Sequence, residues 1–214
     1  MDLIHDLDVL DKEATVSLNG DMGSFADAFF WALSSKYIWI PVGLLFLFLL
    51  IRDKKHLPVM KILIILAIVL TITVSDQLTS SLIKPLVARA RPSHDLQISQ
   101  FLHYVNDYHG GKYGFMSSHA ANVFGTAVLG CCVLKNRIFT VFIFLLSLLV
   151  CYSRIYLGVH YLGDVVCGAL VGSIVAYIFL WLLRCANVYF STRPKTYAQF
   201  SMDFRRMYYP KQIV

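Results

Sequence analysis

Apolar residues gather into five long runs along this chain, at about 31–51, 59–78, 120–134, 138–151 and 165–183. A hydrocarbon core about 30 Å thick needs roughly 20 helical residues, so the pattern predicts five membrane-spanning helices. The third and fourth runs are short by that measure. They reach full length only if polar residues continue them, 117–119 in one case and 152–154 in the other. Ahead of the first run, SFADAFFWALSS places Phe25, Ala28, Phe29 and Leu33 three to four residues apart. That is the spacing of an amphipathic helix on the membrane surface, or of an early start to the first span. The predicted fold class is therefore all-α: a polytopic membrane helix bundle of about five transmembrane helices plus an N-terminal amphipathic helix. It is read as one membrane domain, 1–214, with an interfacial segment at 1–30, a core at 60–183 and a basic cytoplasmic tail at 184–214.

Composition agrees with the pattern. Hydrophobic residues make up 57% of the 214 and charged residues only 15%, against about 25% in an ordinary soluble domain. The net charge of +6 hides an asymmetry. Residues 1–27 carry seven acids and one base, Lys12, whereas Arg184 onward holds six bases and one acid, Asp203. With five spans, the basic segments RDKKH (52–56), KNR (135–137) and the tail fall on one side, which the positive-inside rule makes cytoplasmic. The N-terminus, the polar connection 85–116 and the stretch SRIYLGVHYLGD (153–164) then share the other side. The cysteines, Cys131, Cys132, Cys151, Cys167 and Cys185, lie in or at the ends of apolar runs without metal-site or disulfide spacing, and are read as small packing residues.

Three clusters meet on that outer side: KPLVARARP (84–92), GFMSSHAAN (114–122) and SRIYLGVHYLGD. Lys84, Arg91 and Arg154 are cations, and arginine forks match phosphate oxygens. Ser117 offers a hydroxyl, and the start of the third span offers unpaired N–H groups at the positive end of a helix dipole. His119 and His160 sit among these groups. His160 and Asp164 are four apart and share a face if both are helical. A carboxylate on one ring nitrogen leaves the other free to attack. Taken singly, each has a plain alternative: a basic residue can anchor a span end, a histidine can be structural, and Asp164 can cap the fifth helix. Taken together they describe a phosphate site. His94, Asp95, His103 and His109 of the long connection are candidates for headgroup selection or for a solvated loop.

These residues resemble three signatures of the type 2 phosphatidic acid phosphatase superfamily, which includes the vanadium haloperoxidases. Lys84, six residues, then Arg91-Pro92 is similar to the first. Ser153-Arg154, five residues, His160, three residues and Asp164 match the third. The middle one is usually Pro-Ser-Gly-His and here reads Met116-Ser117-Ser118-His119. The resemblance covers about residues 60–183. It implies that His160 attacks phosphorus, Asp164 orients it, and His119 protonates the leaving oxygen. Lys84, Arg91, Ser117, Ser118 and Arg154 would hold the phosphoryl oxygens, Ser118 as an added donor or as a narrowing of the pocket. No metal and no other cofactor is implied, since side-chain cations supply the charge.

The expected function is hydrolysis of phosphate from a lipid through a phosphohistidine. Undecaprenyl diphosphate or lipid A phosphate is favoured, ahead of phosphatidylglycerol phosphate and phosphatidic acid. The alternatives are an anion or lipid transporter and an inactive lipid-binding relative. Transporters place binding groups near the midplane. Here the charge nearest a span interior, Asp76, falls about 25 Å along its helix, near the outer end. The expected partners are the lipid substrate and membrane lipids, with no nucleic acid and with the oligomeric state open. The expected location is a bacterial inner membrane, with the site facing the periplasm.

Overall fold

The computed structural model describes residues 3–191, and of Ser191 only the main chain. The tail bases Arg193, Lys195, Arg205, Arg206 and Lys211 lie outside the described residues. Eight α-helices are present among the described residues: α1 (Leu3–Leu18), α2 (Ser24–Leu33), α3 (Trp39–Arg52), α4 (Pro58–Asp76), α5 (Lys84–Val87), α6 (Ser118–Leu134), α7 (Arg137–Tyr156) and α8 (Leu162–Ser191). No strand occurs among the described residues. All five apolar runs are helical. By length and apolarity, Pro58–Val87, Arg137–Tyr156 and Leu162–Phe190 can each cross a membrane. The first run differs from the expectation of one continuous span, because α2 and the helix after it are bent by 64° at a break. Ser34 and Ser35 sit at that break, where Ser35 Oγ accepts from Tyr37 N. The third run, α6, has 17 residues, a rise of about 25 Å. It needs no full lipid-facing length, because it is enclosed: Ala120, Ala121, Val123, Ala127, Leu129 and Val133 are all buried.

Small residues allow that enclosure. A Cβ on Gly172 would come within 1.9 Å of Ala121 O, and one on Gly168 within 2.4 Å of Ser117 O. The α6 and α8 backbones therefore touch, the packing mode that small residues give membrane helices. Around them, Leu50, Ile64, Leu129, Phe139, Ile143 and Leu180 form the core at the end bearing the basic loops. Ala120, Val123, Val150, Ile155 and Val165 form it at the other end.

Between α4 and α5, residues Gln77–Ile83 form π-helical turns. Pro85 explains their position. It has no N–H to give to residue 81, and its ring presses on that carbonyl, so the ladder opens just before it. Wide turns of this kind are frequent at functional sites. After α5 the chain turns through Ala88, with φ +50°. It then pairs briefly with 112–114: Arg91 N donates to Lys112 O (3.1 Å) and Gly114 N to Arg89 O (2.9 Å).

The N-terminus holds a helix that the sequence reading did not foresee as such. Leu3, Ile4, Leu7 and Leu10 of α1 are exposed, while Asp8 and Asp11 form ion pairs with Arg89.

Candidate active site

The three signature clusters converge at one end of the bundle, and the local structure explains each placement. Arg154 lies in the last turn of α7, so the fourth span does continue through its polar end. His160 follows in the turn between α7 and α8. Its contact with Asp164 is therefore not made along a helical face, as the four-residue spacing suggested. It crosses the start of α8: His160 Nδ1 lies 3.4 Å from Asp164 Oδ2, and the same oxygen accepts from Tyr161 N at 3.2 Å. Asp164 thus caps the helix and faces the histidine at once. It is fully buried, and Gly114 is what lets the loop close over it, since a Cβ there would lie 2.9 Å from Asp164 Oδ2.

Arg91 comes in from the paired segment. Its Nε donates to Tyr113 O (3.1 Å), its Nη1 donates to Val159 O (3.1 Å), and the same Nη1 stands 3.5 Å from His160 Nε2. The two histidine nitrogens are thereby distinguished: Nδ1 faces the carboxylate and Nε2 faces a cation. Arg154 is buried and bonds Ser34 Oγ at the α2–α3 break, and its Nε is buried without a partner. Burial, and then the charges of Arg154, Arg91 and Lys84, hold the His160 imidazole well below its ordinary pKa. The ring is neutral at pH 7 and keeps a lone pair.

Lys84 Nζ donates to Ser118 Oγ at 2.9 Å, and Ser118 Oγ shares a hydrogen with Ser80 Oγ at 2.8 Å. The side chain at the family's glycine position therefore serves as the lysine's partner. Ser117 is fully buried, and its hydroxyl accepts from Ala120 N as the N-cap of α6. It does not line the cavity, whereas Ser118 does.

That cavity is about 560 Å³. Lys84, Arg91, His119, Arg154 and His160 stand at one end, and Val42, Phe46, Ile68, Phe139 and Ile143 line the rest. Arg154 and Phe139 are 15 residues apart on α7, so the cavity runs about 22 Å down the bundle.

His94, Asp95, His103 and His109 do not line it. His103 pairs with Asp27, Asp95 with Lys12 and Tyr161, and His109 with Asp107. The long connection contributes Tyr108 instead, and Asp76, Ser80 and Asn122 also reach the wall. The last two carry a sequence signal that spacing reveals: Ser80 is one helical turn from Lys84, and Asn122 one turn from His119. Asp21, Asp27 and His103 have ligand atoms within 4.8 Å of one another and are the group among the described residues that could hold a metal ion. None of them lines the cavity.

Comparison with known proteins agrees with this geometry. The chain is 37% identical over 181 residues to a lipid A 4'-phosphatase of Bacteroides thetaiotaomicron, covering 84% of this chain and 80% of that one. It is 37% identical over 169 residues to a lipid A 4'-phosphatase of Porphyromonas gingivalis, covering 78% and 70%. Among solved structures, Aquifex aeolicus LpxE superposes with a TM-score of 0.58 at 27% identity, covering 78% of this chain and 93% of that one. A PAP2 type phosphatidylglycerolphosphate phosphatase of Bacillus subtilis shares the fold, with a TM-score of 0.59 at 16% identity and coverage of 85% and 87%. Residues 63–187, which carry all three clusters, match the PAP2 superfamily, and the chain belongs to it.

Proposed function

We propose that this membrane lipid phosphatase removes a phosphate from lipid A, by way of a phosphohistidine at His160 and without a metal ion. The observation that carries the proposal is the two-ended cavity, in which Lys84, Arg91, Arg154, His119 and His160 stand above a long apolar wall. A phosphate on a lipid headgroup meets the cations while acyl chain occupies the wall. The names of the two 37% identical relatives favour lipid A and its 4'-phosphate over the other lipids.

In the first step the neutral Nε2 of His160 attacks phosphorus. An N–P bond forms, the bond from phosphorus to the lipid oxygen breaks, and His119 gives that oxygen a proton. Asp164 accepts from Nδ1–H and stabilises the positive ring. In the second step His119 takes a proton from water, the water oxygen attacks phosphorus, and the N–P bond breaks. Lys84, Arg91, Arg154 and Ser118 hold the phosphoryl oxygens, where charge builds in the transition state. Ser117 contributes by capping α6. We place the site end away from the cytoplasm, at the periplasmic face of a bacterial inner membrane. The basic segments at 52–56 and 135–137 support this placement.

The test is phosphate release by purified protein in detergent from lipid A, undecaprenyl diphosphate, phosphatidylglycerol phosphate and phosphatidic acid, with EDTA present. The highest kcat/KM is expected on lipid A, unchanged by EDTA and inhibited by orthovanadate. Activity lost to EDTA and restored by magnesium or zinc would remove the metal-free mechanism. A higher kcat/KM on another lipid would reassign the substrate.

A further inference from the structure

Arg89 does not line the cavity, yet it grips the residue behind the nucleophile. Its Nη1 donates to Asp164 Oδ1 at 3.2 Å and to Asp11 Oδ2 at 2.8 Å, and its Nη2 donates to Asp8 Oδ1 at 2.8 Å. The guanidinium carbon lies 3.8 Å from the centre of the Tyr161 ring. Tyr161 is itself held, because its hydroxyl donates to Asp95 Oδ2 at 2.8 Å and Lys12 pairs with that same oxygen.

The two oxygens of Asp164 therefore have separate duties. Oδ2 faces His160 and Tyr161 N, and Oδ1 faces Arg89. A carboxylate held by one oxygen can rotate, since its terminal torsion is broad. Held by both, its plane is fixed, and with it the hydrogen bond that orients the imidazole.

Helix α1 adds a second constraint on the same turn. Asp11 Oδ1 accepts from Gly163 N at 2.7 Å, and Thr15 Oγ1 accepts from Leu162 N at 3.1 Å. These are first-turn N–H groups of α8, which have no partner within their own helix. So α1 caps the helix that carries Asp164, and Asp11 does so with the carboxylate that also holds Arg89. Gly163 makes the approach possible, because a Cβ there would lie 2.8 Å from Asp11 Oδ2.

We propose that Arg89 is a positioning residue for the Asp164–His160 pair, and that Asp8 and Asp11 of α1 hold Arg89 in place. This rests on His160 being the nucleophile. The docked N-terminal helix is then part of what makes the site competent, although none of its residues meets the substrate.

The test compares Arg89→Gln, Arg89→Lys and the double variant Asp8→Asn/Asp11→Asn in the full chain, with His160→Ala as control. It reads kcat, KM, inhibition by orthovanadate and the thermal midpoint. Arg89→Gln is expected to lower kcat by about 10- to 100-fold, the usual cost of losing a group that orients a functional side chain. KM and the orthovanadate inhibition constant stay within about threefold, since the phosphate contacts are intact. Arg89→Lys, which keeps the charge, recovers part of kcat, and the double variant loses kcat with KM held. If Arg89→Gln does not fold, Arg89→Lys and the double variant carry the same split. Unchanged kcat in the folded variants overturns the proposal, as does a rise in KM and in the vanadate constant without a fall in kcat. A dead His160→Ala beside a fully active Arg89→Gln sinks this inference alone. An active His160→Ala sinks the nucleophile assignment as well.

Discussion

At the scale of the residue, the sharpest expectation concerns His160. His160→Ala should lower turnover by a factor on the order of 10⁴ or more at equal expression, because under the proposed mechanism the imidazole that forms the N–P bond is gone. Measured phosphate release above that level would assign the nucleophile elsewhere. The same ring has a stability signature. Its folded pKa lies well below the ordinary value near 6.5, so below about pH 6.5 the unfolded chain binds a proton that the folded chain refuses. Its contribution is complete above that pH and is lost as pH falls toward the depressed value. The thermal midpoint of the wild type should therefore drop more between pH 7 and pH 5 than that of His160→Gln. Ser118 makes a separate test. Ser118→Ala removes the acceptor of the Lys84 bond, and a hydrogen bond to a charged group is worth about 1.5 kcal/mol. Close to a tenfold fall in kcat/KM is expected, and an unchanged value would make Ser118 a spacer. Lys84, Arg91, His119, Arg154, His160 and Asp164 were legible in the sequence because they fall in three clusters of polar groups predicted on one side of the membrane, with the spacing of the three signatures. Tyr108 and Arg89 were not assigned a role, because their partners lie 46 and 75 residues away, at Arg154 and Asp164, and only the tertiary fold makes those pairs.

At the scale of the element, α6 and α8 meet backbone to backbone, and this makes a contrast between two glycines. Gly172→Ala must displace Ala121 O, which stands 1.9 Å from the added carbon. Overpacking of this kind costs about 1–3 kcal/mol. Gly43→Ala in α3 meets nothing within 4 Å and should raise stability by roughly 0.5–1 kcal/mol, the gain of alanine over glycine in a helix. Thermal unfolding in detergent orders the two, and equal midpoints would refute the tight α6–α8 contact. The apolar runs located α3, α4, α6, α7 and α8. They did not show that the first run breaks at Ser34–Ser35, where Ser35 caps the next turn and Ser34 meets Arg154, a residue 120 positions away. Nor did they separate α1, whose Asp8 and Asp11 are held in ion pairs with Arg89, a partner far along the chain.

At the scale of the whole molecule, the functional groups lie at one end of the bundle and the basic loops at the other. The proposal that the site end faces away from the cytoplasm is tested with single cysteines at Asp107 and Lys54, with the native cysteines removed, and a membrane-impermeant thiol reagent on intact cells. Labelling at Asp107 and not at Lys54 is expected. The reverse pattern would move the substrate to the inner leaflet. The long cavity has one further consequence under the proposed mechanism. Its cationic end suits a phosphate and its apolar length suits an acyl chain, and the covalent step separates the two products in time. The dephosphorylated lipid leaves first, sideways into the bilayer, and inorganic phosphate leaves second, into water. Free phosphate therefore competes with substrate for the empty enzyme, while added lipid product slows turnover in a noncompetitive pattern. In rapid mixing, the first turnover should release lipid faster than phosphate.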